Sequence, residues 1–131
     1  MSSKNVALIT SAYQALVGGD LVTFLRFLST DVRIVQPAEL PWGGEFRGRS
    51  GAKMVFVRLA AYVDAAIDIE RLIDAGGRVA AIGRMHGRSK GAGRAFDAPL
   101  VHLWEVEGDL VVRLEIAVDV PKLLAALARA A

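Results

Sequence analysis

Apolar and polar residues recur with two different periods along this chain, helical in the first half and strand-like in the second. Val6, Ile9, Tyr13, Leu16 and Val17 fall at three- and four-residue spacing, which predicts an amphipathic helix. Gly18-Gly19 stops it. Asp20 is a good N-cap for a short second helix carrying Leu21, Phe24, Leu25 and Leu28. An extended run from Val32 to Gln36 ends at Pro37, and a Pro/Gly-rich loop continues through Gly44. Ser50 is placed to cap a third helix with Met54, Val55, Leu59 and Tyr62. Beyond Ile67 the period is two. Ile67 to Asp74 alternates and Gly76-Gly77 makes a hairpin turn. Strands are predicted over Val79–Arg88, Phe96–Glu107 and Leu110–Asp119, with turns near Lys90–Gly93 and at Glu107-Gly108-Asp109. Pro121 suits the first turn of a final helix reaching Arg129. Helices first and an antiparallel meander after is an α+β pattern. A sheet this long beside three or four helices is expected to curve and leave a concave face.

Composition narrows the class. The 131 residues fit one domain spanning 1–131. Apolar residues make up 53% and charged residues 23%, which excludes disorder. With no cysteine, disulfides, thiolate metal sites and cysteine nucleophiles are excluded. The longest apolar run, Leu123–Ala128, is far too short to span a membrane, and Met1–Asn5 does not begin a signal peptide. A cytoplasmic location is expected. Net charge is +2, with pI near 9.3. Arg84, His86, Arg88, Lys90 and Arg94 form a basic run near one hairpin tip, with little aromatic accompaniment. A solvated tip is expected there, not a nucleic-acid surface. His86 and His102, the two histidines, lack acids at ligand spacing, so no metal is expected. Neither phosphate-loop glycine pattern is present, so no cofactor is expected.

Certain strings carry a family resemblance. Tyr13–Asp20, Leu28–Val32, Trp42–Gly48 and His102–Leu110, in this order and leading to Asp119, resemble the nuclear transport factor 2-like superfamily. Within it, the chain looks most like the SnoaL-like, ketosteroid-isomerase-related branch. The resemblance implies a cone: a curved, mixed sheet, mainly antiparallel, wrapped around three N-terminal helices, with a short C-terminal helix and an apolar pocket inside. This fold hosts isomerases, cyclases, dehydratases, epoxide hydrolases and binders, so it does not set the activity. The isomerases' base aspartate falls on Gln36, and their oxyanion-hole tyrosine and aspartate fall on Ala12 and Val101. Steroid isomerisation of the usual kind is therefore not expected.

The last strand has two faces: Val112, Leu114, Ile116 and Val118 on one, Arg113, Glu115, Ala117 and Asp119 on the other. By hydropathy the apolar set faces the core. The register implied by the resemblance is the reverse, and this reverse register is the expectation adopted. It makes Glu115 and Asp119 candidate acid–base groups. Tyr13, Gln36, Trp42, Phe56, Val101, Arg113 and Ala117 are then candidate ligand-binding residues. It also puts Trp104, Val106, Leu114 and Ile116 on a convex homodimer face. Three functions stay open: an acid–base enzyme on an apolar or polycyclic molecule, a non-catalytic binder of such a molecule, and a dimeric interaction module. Local alternatives stay open too: Tyr13 as a core tyrosine with its hydroxyl hydrogen-bonded, Arg113 and Glu115 as a structural ion pair, Asp119 as the cap of the last helix and Trp42 as the anchor of its loop.

Overall fold

A computed structural model describes residues 3–128. The first helix, α1 (Ser3–Val17), buries Ile9 and Tyr13 of the predicted stripe together with Ala12, half-buries Val6 and Leu16, and leaves Val17 exposed at its end. It ends where Gly19 adopts φ 73°, a left-handed conformation that glycine takes without a Cβ penalty. The next helix, α2 (Leu21–Arg26), is capped as expected, the Asp20 side chain accepting a hydrogen bond from Thr23 N at 3.1 Å.

Strand β1 (Leu28–Gln36) begins four residues before the expected run. A short strand, β2 (Gly44–Arg47), lies within what reads as loop, and pairs antiparallel with Arg33–Gln36. Helix α3 (Gly48–Tyr62) follows β2 directly. Ser50 is therefore inside its first turn rather than at its N-cap, which is Arg47. The meander is β3 (Val63–Asp74), β4 (Arg78–Ser89), β5 (Ala95–Glu107) and β6 (Leu110–Val118), and α4 (Val120–Leu127) closes the chain. Arg129, the expected end of α4, lies outside the described residues.

The six strands form one mixed sheet in the order β2-β1-β6-β5-β4-β3, with β1 parallel to β6 and every other pair antiparallel. The α+β cone architecture expected from the sequence is present. Its curvature has local causes. At Gly83 and Gly87 a Cβ would run into the backbone carbonyl oxygens of Asp68 and Asp64, so β3 folds over β4 only because both positions lack side chains. A β-bulge between Ile69 and Arg71 adds to the bend.

The faces of the last two strands correct the expected register. On β5, Phe96, Ala98, Leu100, His102, Trp104 and Val106 are buried, and Val101 is 38% exposed. On β6, Leu114 is buried and Ile116 half-buried against the core, while Glu115 and Ala117 are exposed. The hydropathy reading holds, and the register implied by the resemblance is off by one residue, which turns every side chain over. Trp104, Val106, Leu114 and Ile116 therefore belong to the interior, and they do not form the convex dimer face expected of them. A second bulge, at Val112, turns Val112 and Arg113 to the same outer side and drives Val111 into the core.

The basic run is tied down by neighbours. Arg84 pairs with Asp97 at 2.6 Å and His86 with Asp68 at 2.8 Å. Arg88 and Arg94 donate to the carbonyl oxygens of Gly93 and Ala125. No described helix is long and apolar enough to cross a membrane.

Candidate ligand site

The inner face of the sheet is ordered in cross-strand rows. One row runs Ile34, Leu114, Trp104, Val79 and Asp74. The adjacent row has Ile116, His102, Ala81 and Leu72 paired in sequence, with Gln36 one inward step beyond Ile34 on β1. Two apolar clusters fill the cone. One gathers α1, α2 and the Trp104 row; the other gathers Leu40, Trp42, Phe96, Leu100 and α4. The His102 row lies along the first cluster, which includes Ala81 and has Leu72 and Ile116 packed against it. Gln36, Ile116 and Leu72 are only half-buried although their strands aim them inward, as are Phe56 and Leu59 of helix α3. Surface clefts along Pro99, Leu100 and Val101 and around Arg113 and Glu115 open on the outer face of the sheet.

One polar network is embedded in this inner face. Tyr13, His102 and Trp104 are 8%, 6% and 1% exposed and form one hydrogen-bonded chain. Trp104 Nε1 donates to Tyr13 Oη at 2.9 Å, and Tyr13 Oη lies 2.6 Å from His102 Nδ1. The Tyr13 and His102 rings lie nearly parallel, 13° apart, and the Trp104 indole meets Tyr13 edge-on at 84°. Desolvation by burial lowers the His102 pKa from 6.5 to about 4, so the ring is neutral at neutral pH. Burial raises the Tyr13 pKa, partly offset by the Trp104 hydrogen bond, so its hydroxyl keeps its proton. Among the described residues His102 Nε2 has no hydrogen-bond partner. The one occluded side-chain polar atom without a partner there is Asp74 Oδ2. Nε2 therefore keeps a small solvent exposure.

The family profile for the SnoaL-like domain matches residues 9–114, most of the chain and all three members of this network. The chain belongs to the SnoaL-like family. Solved structures with the same fold as this SnoaL-like domain include an NTF2-like protein from Burkholderia xenovorans LB400 (TM-score 0.88, 22% identity, 98% of each chain covered). TerC, co-crystallised with polyporic acid, is similar at TM-score 0.86 and 20% identity, covering 95% of this chain and 98% of TerC. A protein provisionally classed as a polyketide cyclase, from Xanthomonas campestris pv. campestris, is similar at TM-score 0.82 and 21% identity, over 97% and 98%. No curated protein matches the sequence.

The SnoaL-like domain divides the candidate residues expected from its sequence. Tyr13 is in the network, Gln36 in the neighbouring row and Phe56 on α3 half-buried beside Phe24. Trp42 is 2% exposed and anchors its loop in the second cluster, its ring 6.3 Å from that of Tyr62. Val101, Arg113, Glu115 and Ala117 stand on the outer face, across the sheet from the network. Arg113 and Glu115 do pair, at 3.3 Å, beside Arg33, Arg78 and Glu105. Asp119 caps α4: its Oδ1 accepts from Lys122 N at 3.2 Å. His102 is absent from the expected site residues because alternation puts it on the face of Trp104, which the register implied by the resemblance turns outward.

Proposed function

We propose that this SnoaL-like domain binds an apolar, ring-containing small molecule against the His102 row of the inner face, without turning it over. The observation that carries this reading is the His102 Nε2 atom, unpartnered and accessible at the floor of an otherwise apolar cone. A polar atom with a free hydrogen-bonding position on an otherwise apolar inner face is the kind of group that orients a bound small molecule. The expected acid–base carboxylates are not at this floor: Glu115 is outside and Asp119 is occupied as a cap. A histidine with pKa about 4 is a weak base at neutral pH, far from the value that suits proton abstraction there. Binding is thus favoured over acid–base turnover. TerC, with the same fold, was co-crystallised with a small organic molecule, polyporic acid.

Two planar ketones of different size, 9-fluorenone and 1-indanone, serve as probes in amide NMR titrations. The expected result is saturable shifts centred on Gln36, Leu72, His102 and Ile116. Absence of saturable shifts with both, or shifts confined to the outer face around Arg113 and Glu115, overturns the reading. Chemical conversion of either ketone that is lost in His102→Asn would reassign the site as catalytic.

A further inference from the structure

The outer face of the sheet carries a row of charges that its own ion pairs balance unevenly. Register sets Arg33 of β1 beside Arg113 of β6, Arg113 beside Glu105 of β5, and Glu105 beside Arg78 of β4. Like charges directly opposite on neighbouring strands repel, so the step from Arg33 to Arg113 calls for a counter-charge. Arg33 has one: its Nη2 and Nε lie 2.6 and 2.8 Å from the same oxygen of Glu45. Glu105, the acid that register sets beside Arg113, pairs with Arg78 instead, at 2.8 Å. Arg113 is left with Glu115 of its own strand, through Nη2 alone and at 3.3 Å. That is longer than the roughly 2.7–2.9 Å of a good charge-assisted hydrogen bond. Among the described residues Arg113 Nε and Nη1 and Arg33 Nη1 have no partner. The bulge at Val112 shapes the space beside them. It brings an apolar and a cationic side chain, Val112 and Arg113, to one side of one strand. With Leu103 of β5 they line a cleft of about 420 Å³ between Arg33 and Arg78, a volume that suits a small molecule.

We propose that this outer-face cleft is a second ligand site, which takes a small monocarboxylate: the carboxylate between the guanidinium groups of Arg113 and Arg33, and the apolar body on Leu103 and Val112. The planar fork of an arginine matches the two oxygens of a carboxylate, and Arg113 has most of its donors to give. The half-buried Leu103 and Val112 side chains offer the apolar body a surface. A dianion such as phosphate is disfavoured, because Glu105 and Glu115 line the same cleft. Glu115 is the internal competitor: the ligand takes over the place on Arg113 that its carboxylate holds at 3.3 Å. The site lies across the sheet from the His102 row and does not rest on the inner-face reading.

Amide NMR titrations of the full chain test this with benzoate, its neutral counterpart benzamide, and inorganic phosphate. Benzoate is expected to give saturable shifts at Arg33, Leu103, Val112 and Arg113, and to bind about tenfold more tightly than benzamide, the worth of one hydrogen bond to a charged group. Arg113→Gln is expected to remove that advantage. Arg113→Lys is expected to keep only part of it, since an ammonium supplies the charge without the fork. Arg33→Gln, with a similar loss expected, serves if Arg113→Gln does not fold. Glu115→Gln is expected to raise benzoate affinity several-fold by removing the competitor, a gain that a purely structural ion pair would not produce. Absence of saturable benzoate shifts overturns the proposal, as does equal affinity for benzoate and benzamide. Phosphate bound as tightly as benzoate at the same amides overturns the monocarboxylate class. Benzoate affinity unchanged in Arg113→Gln, or not raised in Glu115→Gln, overturns the assigned contacts. Benzoate shifts centred on Gln36, Leu72, His102 and Ile116 place the anion on the inner face and overturn the outer site while leaving the inner one standing.

Discussion

Acidification tests the burial of His102 quantitatively. Burial lowers its pKa from 6.5 to about 4. The unfolded chain therefore takes up a proton at His102 as the pH falls through 6.5, and the folded chain does so only near pH 4. The stabilisation associated with the neutral ring is fully present above pH 6.5 and is lost as the pH falls toward 4. At about 1.4 kcal/mol per pKa unit the whole effect is about 3 kcal/mol, and most of it, roughly 2–3 kcal/mol, is gone by pH 4.5. His102→Asn supplies a group that does not titrate, with a side-chain amide close to where Nδ1 meets Tyr13 Oη. Urea unfolding of both proteins at pH 7 and pH 4.5 isolates the term, because other titrating groups, such as Asp20 and Glu45 with their lowered pKa values, are common to both. The stability of the unmodified protein relative to His102→Asn is expected to fall by about 2–3 kcal/mol between the two pH values. A difference that stays constant within error refutes the assignment of His102 as a buried neutral ring.

Other expectations follow from the same placements. Gly83→Val puts a side chain where the Asp68 carbonyl already lies; a loss of at least ~3 kcal/mol is expected, or failure to fold, measured by thermal unfolding. Asp119→Ala removes the α4 cap and is expected to cost about 1 kcal/mol, with ketone affinity unchanged by dialysis. Glu115→Gln, on the outer face, is expected to leave both stability and ketone affinity unchanged. Trp104→Arg buries a charge at a position 1% exposed and is expected to abolish folding by circular dichroism. A folded, more soluble Trp104→Arg protein would instead return Trp104 to an outer surface.

Much of the fold is legible in the residue pattern because each element announces itself by local chemistry. The Val6-Ile9-Tyr13-Leu16 stripe, the Asp20 cap and the Gly76-Gly77 hairpin are short-range signals, and the structure carries them, although Val17, read with the stripe, is exposed. Strand β2 is less legible: Gly44–Arg47 follows a proline- and glycine-rich stretch, and its pairing partner, Arg33–Gln36, is set by tertiary contact. The faces of β5 and β6 were legible in the plain alternation, where Leu114, Ile116 and Val118 oppose Arg113, Glu115 and Ala117. The family register moved the strands by one residue, and with period two that error exchanges core for surface. The bulge at Val112 is silent in sequence, because Val111 and Val112 are the same residue with opposite destinations. Of the residues in the proposed site, Tyr13, Gln36 and Phe56 are named by the sequence reading. The network is not, since it joins residues 89 and 91 positions apart in the chain, a separation no local pattern reports.

The central claim is that a ligand meets the protein at His102 Nε2 inside the cone. A crystal structure with 9-fluorenone or 1-indanone bound tests it most directly. The carbonyl oxygen is predicted within hydrogen-bonding distance of Nε2, with the rings between the His102 row and α3. A bound ketone on the outer face, or one inside the cone with its oxygen turned away from His102, would contradict it.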